Sequence, residues 1–283
     1  MKPDAKIATI TLNPAIDQTI AIPNFSMGSV NRVQDLRCDA GGKGVNVITD
    51  RFVRIDGSTR TGIKIIDKVK KETTDINFPG PKPRPADVES LLKIIDELCT
   101  ECRWLVIAGS IPLGLPADIY KEIIVFITQK GGQVALDASG EGFRAAVTAA
   151  PALVKPNIDE LQEFCSHSLN TQAEVIDAAR RLIDQGLQTV VVSMGEKGAL
   201  FVDKAEVIRA VPPRVQVKST VGAGDAMLSG MVAGKIENKS LKECARLATA
   251  FSIVAVTHIG AGLPPATSLD SIECQIQLDE IKS

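Results

Sequence analysis

A regular alternation of apolar strand-like runs with amphipathic helix-like stretches constrains the fold of this chain more than any other feature. Each apolar run ends in, or is followed by, glycine, asparagine or serine: 6–12, 104–110, 133–139, 152–157 and 189–195. Helix-period stretches lie between them at 86–99, 117–131 and 173–186. Continuous apolar strands that alternate with helices are typical of a parallel sheet covered on both faces. We therefore predict an α/β fold, a mostly parallel sheet with helices on both faces.

Small polar residues follow four of these strands, in the segments AGS (108–110), DAS (137–139), KPN (155–157) and SMG (193–195). In sheets of this class, ligands bind beyond the carboxyl ends of the strands. We therefore expect a shared binding site along this edge.

The segments 14–40 and 51–80 show alternation, turn residues and charges, without a helical period. This pattern favours a small, half-exposed antiparallel sheet, which could act as a lid that excludes water from a reactive site. We therefore predict two units. The core would consist of 1–13, 41–50 and 81–283, and the discontinuous β lid of 14–40 and 51–80.

The composition excludes several classes of function. The 283 residues are 45% hydrophobic and 23% charged, with a formal net charge of −2, so there is no general basic field to hold nucleic acid or an anionic membrane. Aromatic residues make up only 4%, which disfavours base-stacking platforms. Residues 1–14 show no apolar signal core, and no run of 18 apolar residues occurs. We expect a soluble, cytoplasmic protein.

The cysteines and histidines form no convincing metal cluster or catalytic triad. Cys99 and Cys102 make one CxxC, but two further ligands at matching spacing are lacking. We expect ordinary buried or helix-face thiols in a reducing compartment. His167 follows a helix end and should lie at the surface, while His258 belongs to an apolar helix tail and should be structural.

The segment STVGAGDAMLSG (219–230) combines a glycine-rich turn with one carboxylate, Asp225. It follows a strand-like RVQV (214–217) and precedes a helical run, so backbone N–H groups and the helix dipole would favour an anion there. A dinucleotide fingerprint fits poorly because Met227 stands where glycine is needed, and no Walker A Lys-Ser/Thr pair follows. On spacing alone, Asp225 could simply be a first-turn residue.

Three further segments each have a structural and a functional interpretation. DAGGKGVNV (39–47) could be a tight turn, or it could free Lys43 to reach a phosphate. LVKPNIDEL (153–161) places Asn157 and Glu160 one turn apart, either as a capping box or around hydrated Mg²⁺. VVSMGEKGALFV (191–202) predicts a strand, a glycine turn and a hairpin.

Together these segments make the chain resemble the PfkB, or ribokinase-like, carbohydrate-kinase family over nearly its whole length. GGKGVN and STVGAGDAM are similar to its two signatures, and TLNPAID, AGSIPLG, DASGE, LVKPNIDEL and VVSMGEKGA match between them in order. TLNPAID and TRTGIKI (59–65) resemble the sugar-phosphate kinase branch, to which the 1-phosphofructokinases belong.

The resemblance implies a role for individual residues of this sequence. Asp225 would be the catalytic base, and the Gly222, Ala223 and Gly224 turn would form the anion hole. The remaining implied roles are acceptor binding (Asp17, Gly42, Lys43, Asn46, Arg60, Ser110), nucleotide binding (Lys155, Ser193, Gly195, Gly198) and indirect Mg²⁺ binding (Asn157, Glu160).

The implied reaction is ATP- and Mg²⁺-dependent phosphorylation of a ketose phosphate, in the first place fructose 1-phosphate at its 6-hydroxyl to give fructose 1,6-bisphosphate. Because both substrates are anionic, Lys43, Arg60 and Mg²⁺ would offset their repulsion. Tagatose 6-phosphate or fructose 6-phosphate remain alternative acceptors, and a noncatalytic sugar-phosphate or nucleotide sensor remains an alternative function. The resemblance further implies a homodimer formed through the lid.

One departure stands out after GGKGVNV. The family continues there with a helix, a strand and another helix, about 30 residues or more, whereas this sequence runs almost directly into ITDRFVRIDGSTRTG (48–62). Either the deletion is real or the printed sequence omits a stretch after Val47. We favour omission, because losing packed core elements would cost more free energy than marginal stability allows.

Overall fold

The computed structural model describes residues 6–41, 51–70, 72–218, 220, 222–257 and 269–281. Its strands are β1 (Lys6–Ile10), β2 (Ala15–Ala21), β3 (Asp35–Gly41), β4 (Arg60–Asp67), β5 (Glu72–Asn77), β6 (Cys102–Ala108), β7 (Gln133–Asp137), β8 (Leu153–Val154), β9 (Thr189–Ser193), β10 (Ala199–Asp203), β11 (Val207–Val211) and β12 (Gln277–Glu280). Its helices are α1 (Pro85–Glu101), α2 (Ile119–Gln129), α3 (Gly140–Val147), α4 (Ile158–Cys165), α5 (Gln172–Asp184), α6 (Ala223–Ile236), α7 (Leu241–Thr257) and α8 (Asp270–Glu273).

The larger sheet has eight strands in the order β1-β6-β7-β8-β9-β10-β11-β12. The first five run parallel, and β10, β11 and β12 join them in antiparallel pairs. The predicted mostly parallel sheet is therefore confirmed, and we call this unit the core. The hairpin predicted over 191–202 is also confirmed, as β9, a short 3₁₀ turn at Gly195–Lys197 and β10.

Helices cover both faces of the core sheet. Successive strand residues point to opposite faces, and accordingly Val190 and Val192 pack into one apolar cluster while Val191 packs into the other. Helices α1 to α5 contribute to the first cluster, and α6 and α7 contribute to the second. The three helices predicted at 86–99, 117–131 and 173–186 correspond to α1, α2 and α5.

The strand expected at RVQV (214–217) is not present, since residues 212–217 belong to no helix or strand. Pro212 and Pro213 precede it and have no backbone N–H to donate to a sheet ladder. Val217 is accordingly exposed. The chain reaches α6 through an irregular segment.

A second sheet of four strands, in the order β3-β2-β4-β5, comes from the region predicted as the lid. Its two outer pairs are antiparallel as expected, but the central pair β2 and β4 is parallel. The sequence pattern did not predict this, because alternation within a strand does not reveal the direction of its neighbour. We call this sheet the lid.

Strand β1 forms one edge of the core sheet. Its Ile7 side chain is 45% exposed although it belongs to an apolar strand. Among the described residues, no helix is long and apolar enough to cross a bilayer.

Candidate active site

The carboxyl ends of the parallel core strands meet at one edge, where the sequence predicted a shared site. Ser110 follows β6, Asp137 ends β7, Lys155 follows β8 and Ser193 ends β9. Backbone hydrogen bonds connect these ends: Gly109 N–H donates to Asp137 O (3.1 Å), and Lys155 N–H donates to Leu136 O (3.2 Å). Parallel pairing thus brings residues from four separate motifs to one rim.

The N-terminus of α6 carries the GAGD turn at this rim. Gly222 caps the helix with a φ of +79°, a conformation that side chains rarely adopt, so glycine is required to start α6 there. Asp225 lies in the first helical turn, half-buried, and Ser229 Oγ donates to its backbone carbonyl (2.8 Å). First-turn N–H groups and the positive end of the helix dipole therefore face the rim beside a carboxylate.

Lys155 approaches this turn from the core sheet. Its ammonium lies so close to Gly224 that a Cβ at that position would be 2.9 Å from Nζ. The Lys155 side chain is only 5% exposed, and its Nζ lies 3.6 Å from Oδ2 of Asp137, whose side chain is 1% exposed. A buried ion pair thus stands directly behind the glycine turn.

Asn157 and Glu160 form a capping box at the start of α4. Glu160 N–H donates to Asn157 Oδ1 (2.8 Å), and Asn157 N–H donates to Glu160 Oε2 (2.8 Å). Of the two interpretations left open by the sequence, the capping box is therefore present. Both residues remain half-buried at the rim, and amide and carboxylate oxygens are donors that suit Mg²⁺, directly or through water. The donor set therefore fits this ion as well.

The turn between β9 and β10 lies next to the capping box. Asn157 forms a β-bridge with Ser193, and Ser193 N–H donates to Pro156 O (3.1 Å). Gly198 has a φ of +89°, and a Cβ there would overlap the carbonyl oxygen of Ala210. Gly195 is exposed at the start of the turn.

On the lid side, Arg60 and Ser110 are connected through Asn13. Arg60 Nε donates to the Asn13 carbonyl (3.1 Å), and Asn13 Nδ2 donates to Ser110 Oγ (3.1 Å). Arg60 begins β4 of the lid, whereas Ser110 follows β6 of the core. This network fixes a guanidinium where the lid meets the rim.

Asp17, on β2, sits between two glycines of the neighbouring lid strands. Its register partners are Asp39 on β3 and Gly62 on β4. A Cβ at Gly41 would overlap the Asp17 carboxylate, and one at Gly62 would lie 2.7 Å from its Oδ1. The carboxylate therefore occupies space that only glycine neighbours leave open.

Sequence reasoning assigned no role to two residues of this site, Asn13 and Asp137, although DAS (137–139) was among the segments expected at the shared rim. Both lie inside quoted motifs, TLNPAID and DASGE, but nothing in the spacing showed that Asn13 would contact Ser110 or that Asp137 would face Lys155. Gly42, Lys43, Asn46 and His258 lie outside the described residues. His167 is exposed, as predicted.

The cysteines agree in part with expectation. All six are free, and Cys102 and Cys244 are buried, but Cys38 on the lid and Cys274 are exposed. Burial raises the pKa of the Cys99 thiol, and the nearby Asp96 carboxylate raises it further. Within the described ranges, no group of three or more His, Cys, Asp or Glu residues could hold a metal ion.

Comparison with known proteins agrees with this architecture. The profile of the pfkB family carbohydrate kinases matches residues 48–268. The 1-phosphofructokinase of Rhodobacter capsulatus is 38% identical over 301 aligned positions, which cover 94% of this chain and 95% of the relative. That of Xanthomonas campestris is 39% identical over 283 positions, covering 87% and 89%.

Among solved structures, phosphofructokinase-2 from Escherichia coli in complex with fructose-6-phosphate is similar with a TM-score of 0.84 and 27% identity, covering 89% of this chain and 94% of that one. The Rhodobacter alignment spans 301 positions, more than the 283 residues of this chain, so the relative has residues without a counterpart here.

Family profile, relatives and fold agree over most of the chain. This chain belongs to the pfkB family of carbohydrate kinases, which makes it a phosphotransferase that moves a phosphoryl group from ATP to an alcohol acceptor.

Proposed function

We propose that this chain phosphorylates fructose 1-phosphate on its 6-hydroxyl and forms fructose 1,6-bisphosphate and ADP. The observation that carries this proposal is the acceptor side of the site, where Arg60 donates to the Asn13 carbonyl and Asn13 donates to Ser110. Asp17 lies on the same face of the lid, because Arg60 pairs with Ala15, two residues before Asp17. A guanidinium binds phosphate, and a carboxylate accepts hydrogen bonds from sugar hydroxyls. The relatives named 1-phosphofructokinase support the same acceptor.

Asp225 acts in this proposal as the base. It takes the proton of the 6-hydroxyl while that oxygen attacks the γ-phosphorus of ATP, and the bond to the β,γ-bridging oxygen breaks to release ADP. Phosphoryl transfer depends mainly on positioning and on stabilisation of charge. The Gly222, Ala223 and Gly224 turn supplies backbone N–H groups at the N-terminus of α6 for that charge.

In this proposal Lys155, Ser193, Gly195 and Gly198 form the nucleotide side. Lys155 lies against Gly224 of the α6 turn, Ser193 ends β9 at the rim, and the two glycines belong to the turn that follows. Asn157 and Glu160 would hold Mg²⁺ through water, and that ion would neutralise charge on the nucleotide phosphates.

Gly42, Lys43 and Asn46 remain proposed acceptor contacts. The cytoplasmic location also stays a prediction.

The test is a coupled ADP-release assay with fructose 1-phosphate, fructose 6-phosphate, tagatose 6-phosphate, free fructose and a nucleoside. We expect the highest kcat/KM with fructose 1-phosphate and turnover that depends on Mg²⁺. Higher kcat/KM with tagatose 6-phosphate or fructose 6-phosphate would change the acceptor. Turnover of only free fructose or the nucleoside would contradict a phosphorylated acceptor altogether.

We further propose that residues 14–40 and 51–80 form a lid over a core made of 1–13, 41–50 and 81–283, and that two copies associate through the lid. The face of the lid opposite Asp17 is apolar and exposed, including Ile16, Leu36, Ile76 and Phe78, from 44% to 56% exposed. An apolar patch of this kind marks an interaction surface. The relative phosphofructokinase-2 from Escherichia coli has a tetrameric form, which supports self-association.

We also propose that the sequence as printed omits a stretch after Val47. The exposed edge of β1 at Ile7 supports omission. The alignment with the Rhodobacter relative agrees that this sequence lacks residues that the relative has. An intact mass of the protein expressed from its gene tests this directly. A mass of 30.1 kDa would instead establish a real deletion.

A further inference from the structure

We propose that Asp137 is a positioning residue that holds the Lys155 ammonium behind the anion-hole turn of α6, so that the lysine charge reaches the transferring phosphoryl group. The inference rests on the proposed function for its reaction step. The sequence placed Asp137 in the DAS segment of the expected rim but assigned it no role. Its place in the fold, and not its motif, indicates the role.

The first observation is that the Lys155–Asp137 ion pair is buried. Lys155 and Asp137 side chains are 5% and 1% exposed, and their charged atoms lie 3.6 Å apart. Removing two charges from water is costly, so a buried pair often stabilises a fold no more than apolar residues of the same volume would. A pair kept at the rim of the candidate site therefore calls for a functional explanation.

The second observation is the direction in which the lysine points. Its Nζ lies against Gly224 in the first turn of α6. A cation at a helix N-terminus is repelled by the positive end of the dipole. The Lys155 ammonium and the positive end of the α6 dipole therefore lie side by side at Gly224. This arrangement becomes favourable when an anion such as a polyphosphate binds there.

The third observation is how the backbone at Asp137 is held. It ends β7, where its carbonyl accepts the Gly109 N–H (3.1 Å), and Tyr120 Oη donates to Gly109 O (3.1 Å). Tyr120 is fully buried, and burial, together with the nearby Asp137 charge, raises the pKa of its hydroxyl. Gly109 precedes Ser110, so the same scaffold connects the Lys155 pair with the acceptor side.

The experiment compares Asp137→Asn, Lys155→Met and the double variant with the wild type. We expect Lys155→Met to lower kcat by about one hundredfold, the loss typical for removing one group that stabilises transition-state charge. Asp137→Asn should lower kcat by about tenfold or more with less than about a threefold change in the KM of the sugar phosphate. The double variant should be no slower than Lys155→Met, because Asp137 acts through the lysine.

A second readout needs no acceptor and so separates this proposal from the choice of substrate. The ratio of affinities for a nonhydrolysable ATP analogue and for AMP, measured by calorimetry, should fall in Asp137→Asn and in Lys155→Met. If the wild type turned over no sugar phosphate, the proposed function would fail, but this ratio would still decide the role of the pair.

Asp67→Asn is the matched control, because Asp67 is also a buried carboxylate but ends strand β4 of the lid, where it accepts the N–H groups of Phe25, Val69 and Lys70. It should lower the melting temperature without changing the affinity ratio. If Asp137→Asn fails to fold, Asp137→Leu combined with Lys155→Met removes both charges and keeps the volume apolar. An unchanged kcat and ratio in any folded Asp137 variant with Lys155 intact, or multiplicative losses in the double variant, would overturn the proposal. A kcat of the Asp137→Leu, Lys155→Met variant below that of Lys155→Met alone would also overturn the proposal.

Discussion

The core sheet and the lid sheet differ in how far their apolar residues are buried. In the core sheet, β9 and β10 are buried over almost their whole length, because helices cover both faces. In the lid, β5 is exposed at every residue, and the only buried apolar residues of the lid region are Ala15, Ile22 and Ile65, within the ranges that the structure describes. The core completes its own packing within one chain. The lid is a thin sheet with exposed apolar residues on one face, and the proposed self-association would bury them.

The two sheets also divide the proposed chemistry. The core presents helix N-termini, a buried lysine and backbone N–H groups, which suit phosphate. The lid presents Asp17 and Arg60, which suit a phosphorylated sugar. Variants in the core should therefore change kcat and nucleotide binding, whereas lid variants should change acceptor binding and assembly.

The largest effect should come from the core. Asp225→Asn removes the proposed base and should lower kcat by about a thousandfold, within the range known for general-base removal. ATP should still bind, because the backbone turn remains. Steady-state kinetics and calorimetry measure the two properties.

Asp184→Asn, an exposed acid at the end of α5, serves as the control and should behave as the wild type. A sugar-phosphate or nucleotide sensor would keep its ligand response in Asp225→Asn and would show no turnover to lose. That outcome would favour the noncatalytic alternative.

The next effect concerns the uncovered face of the lid. Leu36→Lys places a charge in the apolar face and should weaken self-association by about one hundredfold, as expected for a residue near the centre of an interface. Sedimentation at several protein concentrations measures it. Thr73→Lys introduces the same charge on the opposite face of the lid and should leave assembly unchanged. If the wild type is monomeric at every concentration, the proposal that two copies associate through the apolar face of the lid is wrong.

A smaller effect should follow from crowding Asp17. Gly41→Ala adds a Cβ where the carboxylate lies, so Asp17 must shift. We expect the KM of the sugar phosphate to rise about tenfold, the cost of one displaced hydrogen-bonding group, with the KM of ATP unchanged. Thr73→Ala is the control, because Thr73 lies on the same face of the lid as Asp17 but away from it. A rise in the KM of ATP would mean that the lid and core roles are not separate.

The smallest effect concerns the acid stability of the lid. Burial alone would raise the pKa of Asp67, but the backbone N–H groups of Lys70, Asn24, Phe25 and Val69 outweigh it and hold the pKa below its ordinary value. Such a group stabilises the fold above its unfolded pKa and loses that contribution as the pH falls through the lowered folded pKa. The melting temperature of Asp67→Asn should therefore fall less steeply than that of the wild type between about pH 5 and pH 2. Equal slopes would show that the lid turn does not depend on this charge.

Much of the core could be predicted from the sequence because its signals are local. Apolar runs such as 189–195 predicted buried strands, and the glycines of 219–230 predicted a tight start to α6. The RVQV prediction was wrong: residues 214–217 form no strand, and the two prolines directly before them lack the N–H groups that would extend a sheet ladder into this segment. The parallel pairing of β2 with β4 could not be predicted, since it depends on how the chain returns between them.

Most strands and helices, and the motifs proposed to carry chemistry, could thus be recognised from sequence, because hydrophobic period and turn residues act over a few positions. The three-dimensional arrangement was needed to show that Asp137 faces Lys155, that Asn13 connects Arg60 with Ser110, and that apolar residues on one face of the lid are exposed. Those relations join residues up to 97 positions apart. They depend on the order and direction of strands in two sheets, which no local pattern records.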